Sequence, residues 1–308
     1  MKALVTGGAG FIGSNLVDAL VARGDEVRVL DDISTGFREN VPDAAEFVEG
    51  DIRDPDAVDR AVQGCEVIFH EAAHRAVFRS VEHPLATDEA NTRGTLHVLD
   101  SARNAGVRRV VIASSSSVYG GADITPTPES APLRPRSPYA VSKLAAEQYT
   151  RVFAGLYDIE TVALRYFNVF GPRQRPDSQY AAVIPLFIDA LRNGRPPTVH
   201  GDGKQSRDFT YIDDTVAANL VAADAPAERA SGGIYNVACG RQYSLLDLLA
   251  VLSRIIGVEI EPEFTDSRPG DVRNTCADIS AARRDLGYEP RVSFEEGLER
   301  TVAWFSQR

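Results

Sequence analysis

The sequence predicts an α/β fold in which a parallel sheet is covered by helices on both faces. Short apolar segments alternate with segments of helical periodicity up to about residue 165. The first of them leads through a glycine-rich turn into a helix, and polar residues follow the strand ends. We therefore expect a doubly wound domain over residues 1–165, with a return segment near 210–238, and a smaller mixed α/β domain over 166–308.

The regular alternation of the first half sets the order of its elements. Helix ends are indicated by Gly24 and Gly106, and a helix start by Ser137 followed by Pro138. The predicted elements are strand 3–5, helix 11–23, strand 26–31, strand 45–49, helix 54–63, strand 66–70, helix 84–105, strand 108–113, helix 138–156 and strand 159–164. In the second half we expect helices near 183–193, 213–223, 244–256, 279–286 and 294–306, and strands near 198–200, 234–238 and 259–263.

The stretch Lys2–Leu16 joins the first strand to the first helix through a turn that contains Gly7, Gly10 and Gly13. Glycine accepts positive φ and lets the backbone approach a pyrophosphate, which the N-terminus of the following helix attracts. The spacing predicts a dinucleotide site. An ordinary glycine-rich turn between strand and helix has the same spacing and is the alternative.

Acidic residues at the end of the second strand indicate which dinucleotide binds. Asp31 ends this strand, about 20 residues after the turn, and Asp32 follows it. A carboxylate in this place accepts hydrogen bonds from ribose hydroxyls. Two carboxylates would repel a 2′-phosphate, so the residues favour NAD over NADP.

Composition excludes several classes of function. The formal net charge is −11 with no long basic run, so we expect no nucleic acid and no membrane as partner. Cys65, Cys239 and Cys276 are odd in number and form no paired motif, which is typical of the reducing cytoplasm. No apolar run approaches ~18 residues, so we expect no membrane-spanning helix. The histidines form no ligand cluster, so we expect no metal site.

Tyr139 and Lys143 are the strongest candidates for chemistry, because they lie four residues apart and share a face of the predicted helix 138–156. An ammonium beside a phenol favours the phenolate, which lowers the tyrosine pKa from ~10 and allows general base catalysis. A solvent-exposed pair without a chemical role is the alternative. The run Ser114–Ser117 follows a strand end, where hydroxyls can bind sugar hydroxyls.

Several motifs occur together and in a fixed order. TGGAGFIG, GDIRD, SSSSVYG and YAVSK resemble the extended short-chain dehydrogenase/reductase family, and YFNVFGPRQRPD, SRDFTYIDD and RPGD resemble its nucleotide-sugar branch. The resemblance runs from residue 1 to about residue 290. It implies a Rossmann domain with tightly held NAD and a C-terminal domain that binds a nucleoside diphosphate sugar. It also implies a homodimer paired through helices 84–105 and 138–156.

The resemblance assigns roles to residues at the matching positions. Tyr139 would be the base, Lys143 its electrostatic partner, and Ser115 the hydroxyl that shares the proton of the substrate 4-OH. The residues implied at the cofactor are Gly7, Gly10, Phe11, Ile12, Gly13, Asp31, Asp32, Ser34, Thr35, Gly36, Asp51, Ile52, Ala72, Ala73, Asn91, Ser114, Tyr139, Lys143 and Tyr166. The residues implied at the substrate are Arg79, Ser115, Ser116, Ser117, Tyr139, Asn168, Arg175, Val183, Ile184, Arg192, Val199, Arg207, Arg268 and Asp271.

The serines after Ser115 indicate which reaction of this branch to expect. The 4,6-dehydratases carry Asp-Glu after the catalytic Thr or Ser, and the decarboxylases usually keep a Glu there. This chain has Ser116 and Ser117, which cannot act as acids or bases near neutral pH. The comparison favours C4 oxidation, rotation of the 4-keto sugar and hydride return, which is 4-epimerisation. A dehydratase, a reductase and a non-catalytic dinucleotide sensor are the alternatives.

Three residues bear on the choice of sugar. Arg175 lies in RQRPD, a context that resembles UDP-glucuronate 4-epimerases, and arginine can bind a C6 carboxylate through two hydrogen bonds. Arg192 is a second candidate. Thr275 stands where hexose epimerases usually carry a bulky Tyr, which leaves room for an N-acetyl group. The expected order of substrates is UDP-glucuronate, UDP-glucose and UDP-N-acetylglucosamine.

Overall fold

A parallel seven-stranded sheet forms the centre of the protein, in a computed structural model that describes residues 1–75, 77–177, 181–267 and 272–307. The strands are β1 (Lys2–Thr6), β2 (Glu26–Asp31), β3 (Glu46–Glu49), β4 (Val67–His70), β5 (Arg109–Ser115), β6 (Glu160–Tyr166), β7 (Val169–Phe170), β8 (Thr198–His200), β9 (Ser206–Arg207), β10 (Thr210–Tyr211), β11 (Gly233–Val237), β12 (Tyr243–Ser244) and β13 (Glu263–Thr265). The order β3-β2-β1-β4-β5-β6-β11 confirms the expected doubly wound Rossmann fold.

Helices cover both faces of this sheet. They are α1 (Phe11–Arg23), α2 (Pro55–Val62), α3 (Val77–Glu82), α4 (Pro84–Asp88), α5 (Gly94–Asn104), α6 (Pro138–Leu156), α7 (Val183–Arg192), α8 (Ile212–Asp224), α9 (Ala227–Ala230), α10 (Leu245–Ile256), α11 (Ser280–Leu286) and α12 (Phe294–Ser306). Helix α6 has the predicted bounds because Ser137 accepts a hydrogen bond from the Ala140 N–H at 3.1 Å and Pro138 occupies the first turn. Short 3₁₀ turns lie at Arg38–Asn40 and Ser116–Tyr119.

The core has two layers, one on each side of the sheet. Alternate strand residues point to opposite faces, so Ala3 and Val5 of β1 join the layer that contains α1 and α8. Leu4, between them, joins the layer that contains α2, α5 and α6. Burial on both faces explains why the strands are apolar throughout. Because the strands are parallel, the carboxyl ends of β1, β2, β4, β5 and β6 lie at one edge of the sheet.

The predicted single helix over 84–105 is interrupted, which corrects that expectation. A π-helical turn at Glu89–Arg93 separates α4 from α5. Asn91 lies in this turn, where its side chain accepts from the His74 N–H at 2.7 Å and donates to the His74 carbonyl oxygen at 3.0 Å. Apolar periodicity alone contains no sign of this interruption, because one additional residue in a turn leaves the pattern on either side intact.

The C-terminal part is built from short elements beside the sheet edge. Paired strands β7–β10, β8–β13 and β9–β12 join helices α7, α10 and α12, while β11 pairs with β6 of the main sheet. Its core is aromatic, with Phe170 packed edge-on against Phe209 and Tyr211. The strand expected near 259–263 lies at Glu263–Thr265. Among the described helices, none combines the length and apolar character that crossing a bilayer requires.

Candidate functional site

The glycine turn after β1 has no space for side chains. Gly7 has a φ of 71°, in the left-handed region that favours glycine. A Cβ on Gly13 would overlap the Gly7 carbonyl oxygen, and one on Gly7 would lie 2.7 Å from the Ala72 backbone nitrogen. The turn therefore packs directly against α1 and the chain after β4. The N-terminus of α1 opens onto a cavity, where its free N–H groups can bind a pyrophosphate.

One cavity extends along the carboxyl edge of the sheet, and we call it the cofactor cavity. After the roles predicted for their residues, we call the end that contains Asp31 and Asp51 the adenosine end, and the end that contains Tyr139 and Lys143 the catalytic end. The residues predicted at the cofactor that line it are Gly7, Gly10, Phe11, Ile12, Gly13, Asp31, Asp32, Ser34, Thr35, Gly36, Asp51, Ile52, Ala72, Ala73, Ser114, Tyr139, Lys143 and Tyr166. Asn91 is buried behind this wall and supports it through His74.

At the adenosine end, two carboxylates are held in place by hydrogen bonds and an ion pair. Asp31 accepts hydrogen bonds from the backbone N–H groups of Ala9 at 2.9 Å and Ile33 at 2.8 Å. Burial raises the pKa of Asp31, and these two hydrogen bonds oppose the shift. Asp51 is ion-paired with Arg53, which lowers the pKa of Asp51. Carboxylate oxygens that remain accessible in this cavity can accept bonds from ribose hydroxyls.

The catalytic end brings together groups from strand β5 and helix α6. The Ser115 hydroxyl, at the end of β5, is close enough to the Tyr139 hydroxyl, at the start of α6, to oppose the rise of the Tyr139 pKa. The Lys143 ammonium, one turn farther along α6, donates to the Ala113 carbonyl oxygen at 2.8 Å. Lys143 is buried, and burial lowers its pKa to about 8, against the opposite effects of Glu71 and Glu147.

The pKa of Tyr139 differs from the expectation based on the Tyr–Lys spacing. Burial raises this pKa, and the Ser115 hydrogen bond and the Arg75 guanidinium oppose the rise. The spacing of the two residues predicts that Lys143 lowers the pKa of Tyr139. In the fold, the lysine is instead directed at the Ala113 carbonyl oxygen, and the cation that acts on the phenol is Arg75.

A buried ion pair supports the floor of the catalytic end. Glu147 and Arg165 are both buried and lie 2.8 Å apart. Glu147 also accepts a hydrogen bond from the Ser114 hydroxyl at 2.5 Å, and Arg165 donates to the Tyr119 hydroxyl at 2.7 Å. With its polar atoms paired in this way, the cluster holds strands β5 and β6 and helix α6 in one arrangement.

Several residues of the cofactor cavity were missed by the sequence analysis. Glu71, His74 and Arg75 follow β4 directly, and Phe37 and Arg173 come from loops. The position of Glu71 after a parallel strand is a usable signal, since such ends meet at one edge. The loop residues carry no signal of this kind. Buried nitrogens of His74 (Nδ1) and Arg173 (one Nη) have no hydrogen-bond partner among the described residues, as expected where a bound group completes the site.

A second cavity lies between α7 and the strands of the C-terminal part. The predicted substrate residues that line it are Asn168, Val183, Ile184 and Arg207. Asn168 donates to the Asp208 carbonyl oxygen at 3.0 Å, which fixes its position at the cavity wall. Thr275, the residue invoked for N-acetyl groups, lies beside it, 3.3 Å from the Asn168 amide.

The remaining substrate candidates lie in other places. Ser116 and Ser117 begin a 3₁₀ turn beside Ser115, and the Ser117 N–H donates to the Ser115 hydroxyl oxygen at 3.2 Å. Arg79 on α3 and the buried Val199 are not among the residues that line either cavity. Arg268 and Asp271 lie outside the described residues.

The two arginines considered for a C6 carboxylate are separated by the fold. Arg192 donates to the Phe305 carbonyl oxygen and lines neither cavity, so it does not reach the site. Arg175 lines the cofactor cavity, where it pairs with Asp177 at 2.7 Å and packs over the Phe37 ring. Helix α7 contributes Val183, Ile184 and residues up to Ala190 to the second cavity, whereas the Arg192 side chain at its end is bound to Phe305.

Comparisons with known proteins agree with this geometry. Residues 3–238 match the NAD dependent epimerase/dehydratase family. The chain is 42% identical over 315 residues to a UDP-glucose 4-epimerase of Mycolicibacterium smegmatis, covering 100% of this chain and 99% of that protein. It is 35% identical over 315 residues to a UDP-glucuronate 4-epimerase of Thermodesulfobacterium geofontis, covering 98% and 95%.

A solved structure extends the agreement to the whole fold. The UDP-glucose 4-epimerase of Thermotoga maritima, determined with UDP-glucose, superimposes with a TM-score of 0.95 at 37% identity, covering 100% of this chain and 99% of that one. Within the described residues, no group of three or more His, Cys, Asp or Glu side chains is placed to hold a metal ion. The chain is a member of the NAD-dependent epimerase/dehydratase family, with NAD as its cofactor.

Proposed function

We propose that the chain is a UDP-sugar 4-epimerase, which inverts the configuration at C4 of the sugar. The observation that carries the proposal is the Tyr139 hydroxyl beside Ser115 at the catalytic end of the cofactor cavity, followed in the chain by Ser116 and Ser117 instead of carboxylates. The names of the relatives in M. smegmatis and T. geofontis, and of the T. maritima structure, support the same reaction.

The side chains divide the work of one proton transfer. NAD, when bound, supplies the hydride acceptor and then the hydride donor, so the net reaction consumes no cofactor. Tyr139 would take the O4 proton and return it later in the cycle. Ser115 would hold the same oxygen through a hydrogen bond. Arg75 would keep a positive charge near the phenolate and stabilise it, and Lys143, fixed by the Ala113 carbonyl oxygen, would bind the nicotinamide ribose.

The positions after Ser115, where a dehydratase carries its acidic residues, hold no carboxyl group in this chain. Asp31, Asp32 and Asp51 lie at the adenosine end. Glu71 lines the catalytic end, where its Oε1 accepts the Tyr166 hydroxyl at 2.6 Å. A dehydratase needs an acid and a base aligned with C6 and C5, and the serines at 116 and 117 supply neither. This distribution favours epimerisation over dehydration.

Two arginines add positive charge to the cofactor cavity. Arg75 and Arg175 both line it, and Arg175 donates to the Thr35 carbonyl oxygen at 3.3 Å. Two guanidinium groups at one wall suit a diphosphate or a sugar carboxylate. We therefore propose UDP-glucuronate beside UDP-glucose as substrates, with the nucleotide bound by the second cavity, within the proposed domain 166–308.

Assembly and location are part of the proposal. Helices α3, α4 and α6 pack together and expose apolar side chains, among them Val81 at 62%, Leu85 at 80% and Leu156 at 72%. Exposed apolar side chains on packed helices favour a homodimer that pairs these helices. Cys65, Cys239 and Cys276 are unpaired, which supports a reducing cytoplasm.

The test is a panel of UDP-sugars followed by NMR. Purified protein incubated with UDP-glucuronate or UDP-glucose should produce the C4 epimer, with no added NADH and no steady change in absorbance at 340 nm. A protein that consumes NADH in proportion to product would be a reductase. Formation of a 4-keto-6-deoxy sugar would identify a dehydratase. Either result would overturn the proposed epimerase.

A further inference from the structure

Glu71 is a carboxyl group at the catalytic end that the proposed proton transfer does not use. It is the first residue after β4, and its backbone N–H donates to the Thr6 carbonyl oxygen at 3.1 Å, which fixes it between β4 and β1. Its side chain reaches Tyr166 at the end of β6, across the end of β5. Glu71 therefore lies over the same sheet edge as Ser114, Tyr139 and Lys143.

The surroundings of Glu71 hold its carboxyl group in one place. The Tyr166 hydroxyl donates to Oε1 at 2.6 Å, and the same hydroxyl accepts from the Asn219 amide on α8 at 2.8 Å. Lys143 of α6 is the nearby cation, and Tyr139 is the other titratable group that interacts with the carboxyl. The carboxyl is thus positioned by β4, β6 and α8 and stands beside the reacting groups of α6.

The charge of this carboxyl changes near neutral pH. Burial raises the pKa of Glu71 to about 7, and the Tyr166 hydrogen bond and the Lys143 charge limit the rise. Glu71 is therefore largely neutral below this pH and an anion above it. A buried group near its titration point can respond to any charge that develops beside it.

The redox part of a dinucleotide must lie at this end of the cavity. The glycine turn and Asp31 occupy the pyrophosphate and adenosine positions, so the nicotinamide reaches towards Tyr139 and Lys143. The oxidised ring carries a positive charge that the reduced ring lacks. A neighbouring carboxylate therefore stabilises NAD⁺ relative to NADH.

We propose that Glu71 is a positioning residue that favours the oxidised form of the bound cofactor and so promotes return of the hydride to the 4-keto sugar. This role rests on the proposed function in one respect: the proposed function identifies the 4-keto sugar as the hydride acceptor in the second half of the cycle. The effect on the cofactor itself requires no sugar. Glu71 forms no covalent bond and transfers no electron, and its contribution is an electrostatic one at fixed geometry.

The experiment is a spectroelectrochemical titration of the holoenzyme, with bound NADH measured at 340 nm in the absence of sugar. Glu71→Gln keeps an oxygen that accepts the Tyr166 hydroxyl but loses the charge. We expect it to shift the ratio of bound NADH to NAD⁺ up to about tenfold towards NADH at pH 7.5, where Lys143 is still mostly protonated, which is up to about 30 mV for a two-electron couple. The difference between the two proteins should shrink as the pH falls to 5.5, where Glu71 is protonated in both redox forms of the wild type.

Two variants separate this role from a structural one. Asp31→Asn changes a carboxyl in the same cavity, at the adenosine end, and should weaken both redox forms alike without moving the potential. Tyr166→Phe removes the hydrogen bond that lowers the Glu71 pKa, so the pH dependence should move to higher pH.

The outcomes are distinct from those of the sugar panel. A potential that is the same in wild type and Glu71→Gln across the pH range would overturn the inference, even if epimerisation is observed. A shifted potential in a protein that inverts no sugar would support the role of Glu71 and overturn the proposed epimerase. If Glu71→Gln fails to fold, the Tyr166→Phe variant gives an independent test. The inference is contradicted if the pH dependence of the cofactor potential is the same in Tyr166→Phe and in the wild type.

Discussion

At the adenosine end of the cofactor cavity, Asp31 is held by the backbone N–H groups of Ile33, two residues away, and Ala9, 22 residues away in the same strand–turn–helix–strand unit. At the catalytic end, Glu71 is held by the Tyr166 side chain, 95 residues away. The first arrangement forms within one continuous unit of two strands and a helix, and the second exists only when β4, β5 and β6 have assembled. The contacts proposed for the cofactor therefore depend on one segment of the chain, whereas the groups proposed for the chemistry depend on wider tertiary packing.

The largest effect is expected from the loss of the Tyr139 hydroxyl. Tyr139→Phe removes the hydroxyl proposed to exchange the O4 proton, so turnover should fall about 1,000-fold, within the usual range for general acid–base catalysis. NAD content should not change, because the glycine turn and Asp31 are untouched. Tyr157→Phe, at an exposed position beyond α6, is the matched control. Full activity of Tyr139→Phe would show that another group is the base.

A substitution in the glycine turn should affect the other end of the cavity. The added Cβ of Gly13→Ala would overlap the Gly7 carbonyl oxygen, so the turn must open and lose its pyrophosphate geometry. We expect NAD affinity to fall about tenfold or more, since an overpacked site costs ~1–3 kcal/mol. The NAD content of the purified protein and its Tm measure this effect.

Gly155→Ala is the matched control for the glycine turn. It lies in α6 with nothing within 4 Å of an added Cβ. Alanine in a helix should leave NAD binding unchanged and stabilise the protein by up to ~1 kcal/mol. Equal loss of NAD in both variants would mean that the packing of the turn is not what holds the pyrophosphate.

The smallest effect concerns the choice of sugar. Arg175→Ala should lower kcat/KM for UDP-glucuronate about tenfold more than for UDP-glucose, because a charged hydrogen bond is worth ~1.5–3 kcal/mol. Arg192→Ala, whose guanidinium is bound to the Phe305 carbonyl oxygen, should affect both sugars alike. Equal losses on the two sugars for Arg175→Ala would assign this arginine to the diphosphate or to the cofactor.

The difference between the two ends also explains what could be predicted from the sequence. Gly7, Gly13 and Asp31 belong to a continuous strand–turn–helix–strand unit, whose spacing determines their places. That Tyr139 and Lys143 lie together could be predicted because four residues of helix bring them to one face, and both line the cofactor cavity. The central sheet followed from the alternation of apolar and amphipathic segments, since each buried strand must be apolar on both faces.

The remaining features depend on contacts between distant segments. Glu71 and Arg75 follow β4, and only the packed sheet shows that they face Tyr139. The direction of Lys143 towards the Ala113 carbonyl oxygen is likewise a tertiary contact, which the spacing of residues on α6 does not contain. The place of Arg192 in the chain predicts a contact with the sugar, but its side chain donates a hydrogen bond to Phe305 of the C-terminal helix α12.

The π-helical turn at Glu89–Arg93 has a consequence for how this family member can change in evolution. Removing a single residue there would restore a regular α-helix, so the local backbone would tolerate the deletion. It would also rotate α4 by about 100° relative to α5. Leu85 would then leave its exposed face, and Asn91 would turn away from His74. The number of residues in this turn therefore couples the exposed position of Leu85 to the position of Asn91 behind the cofactor cavity.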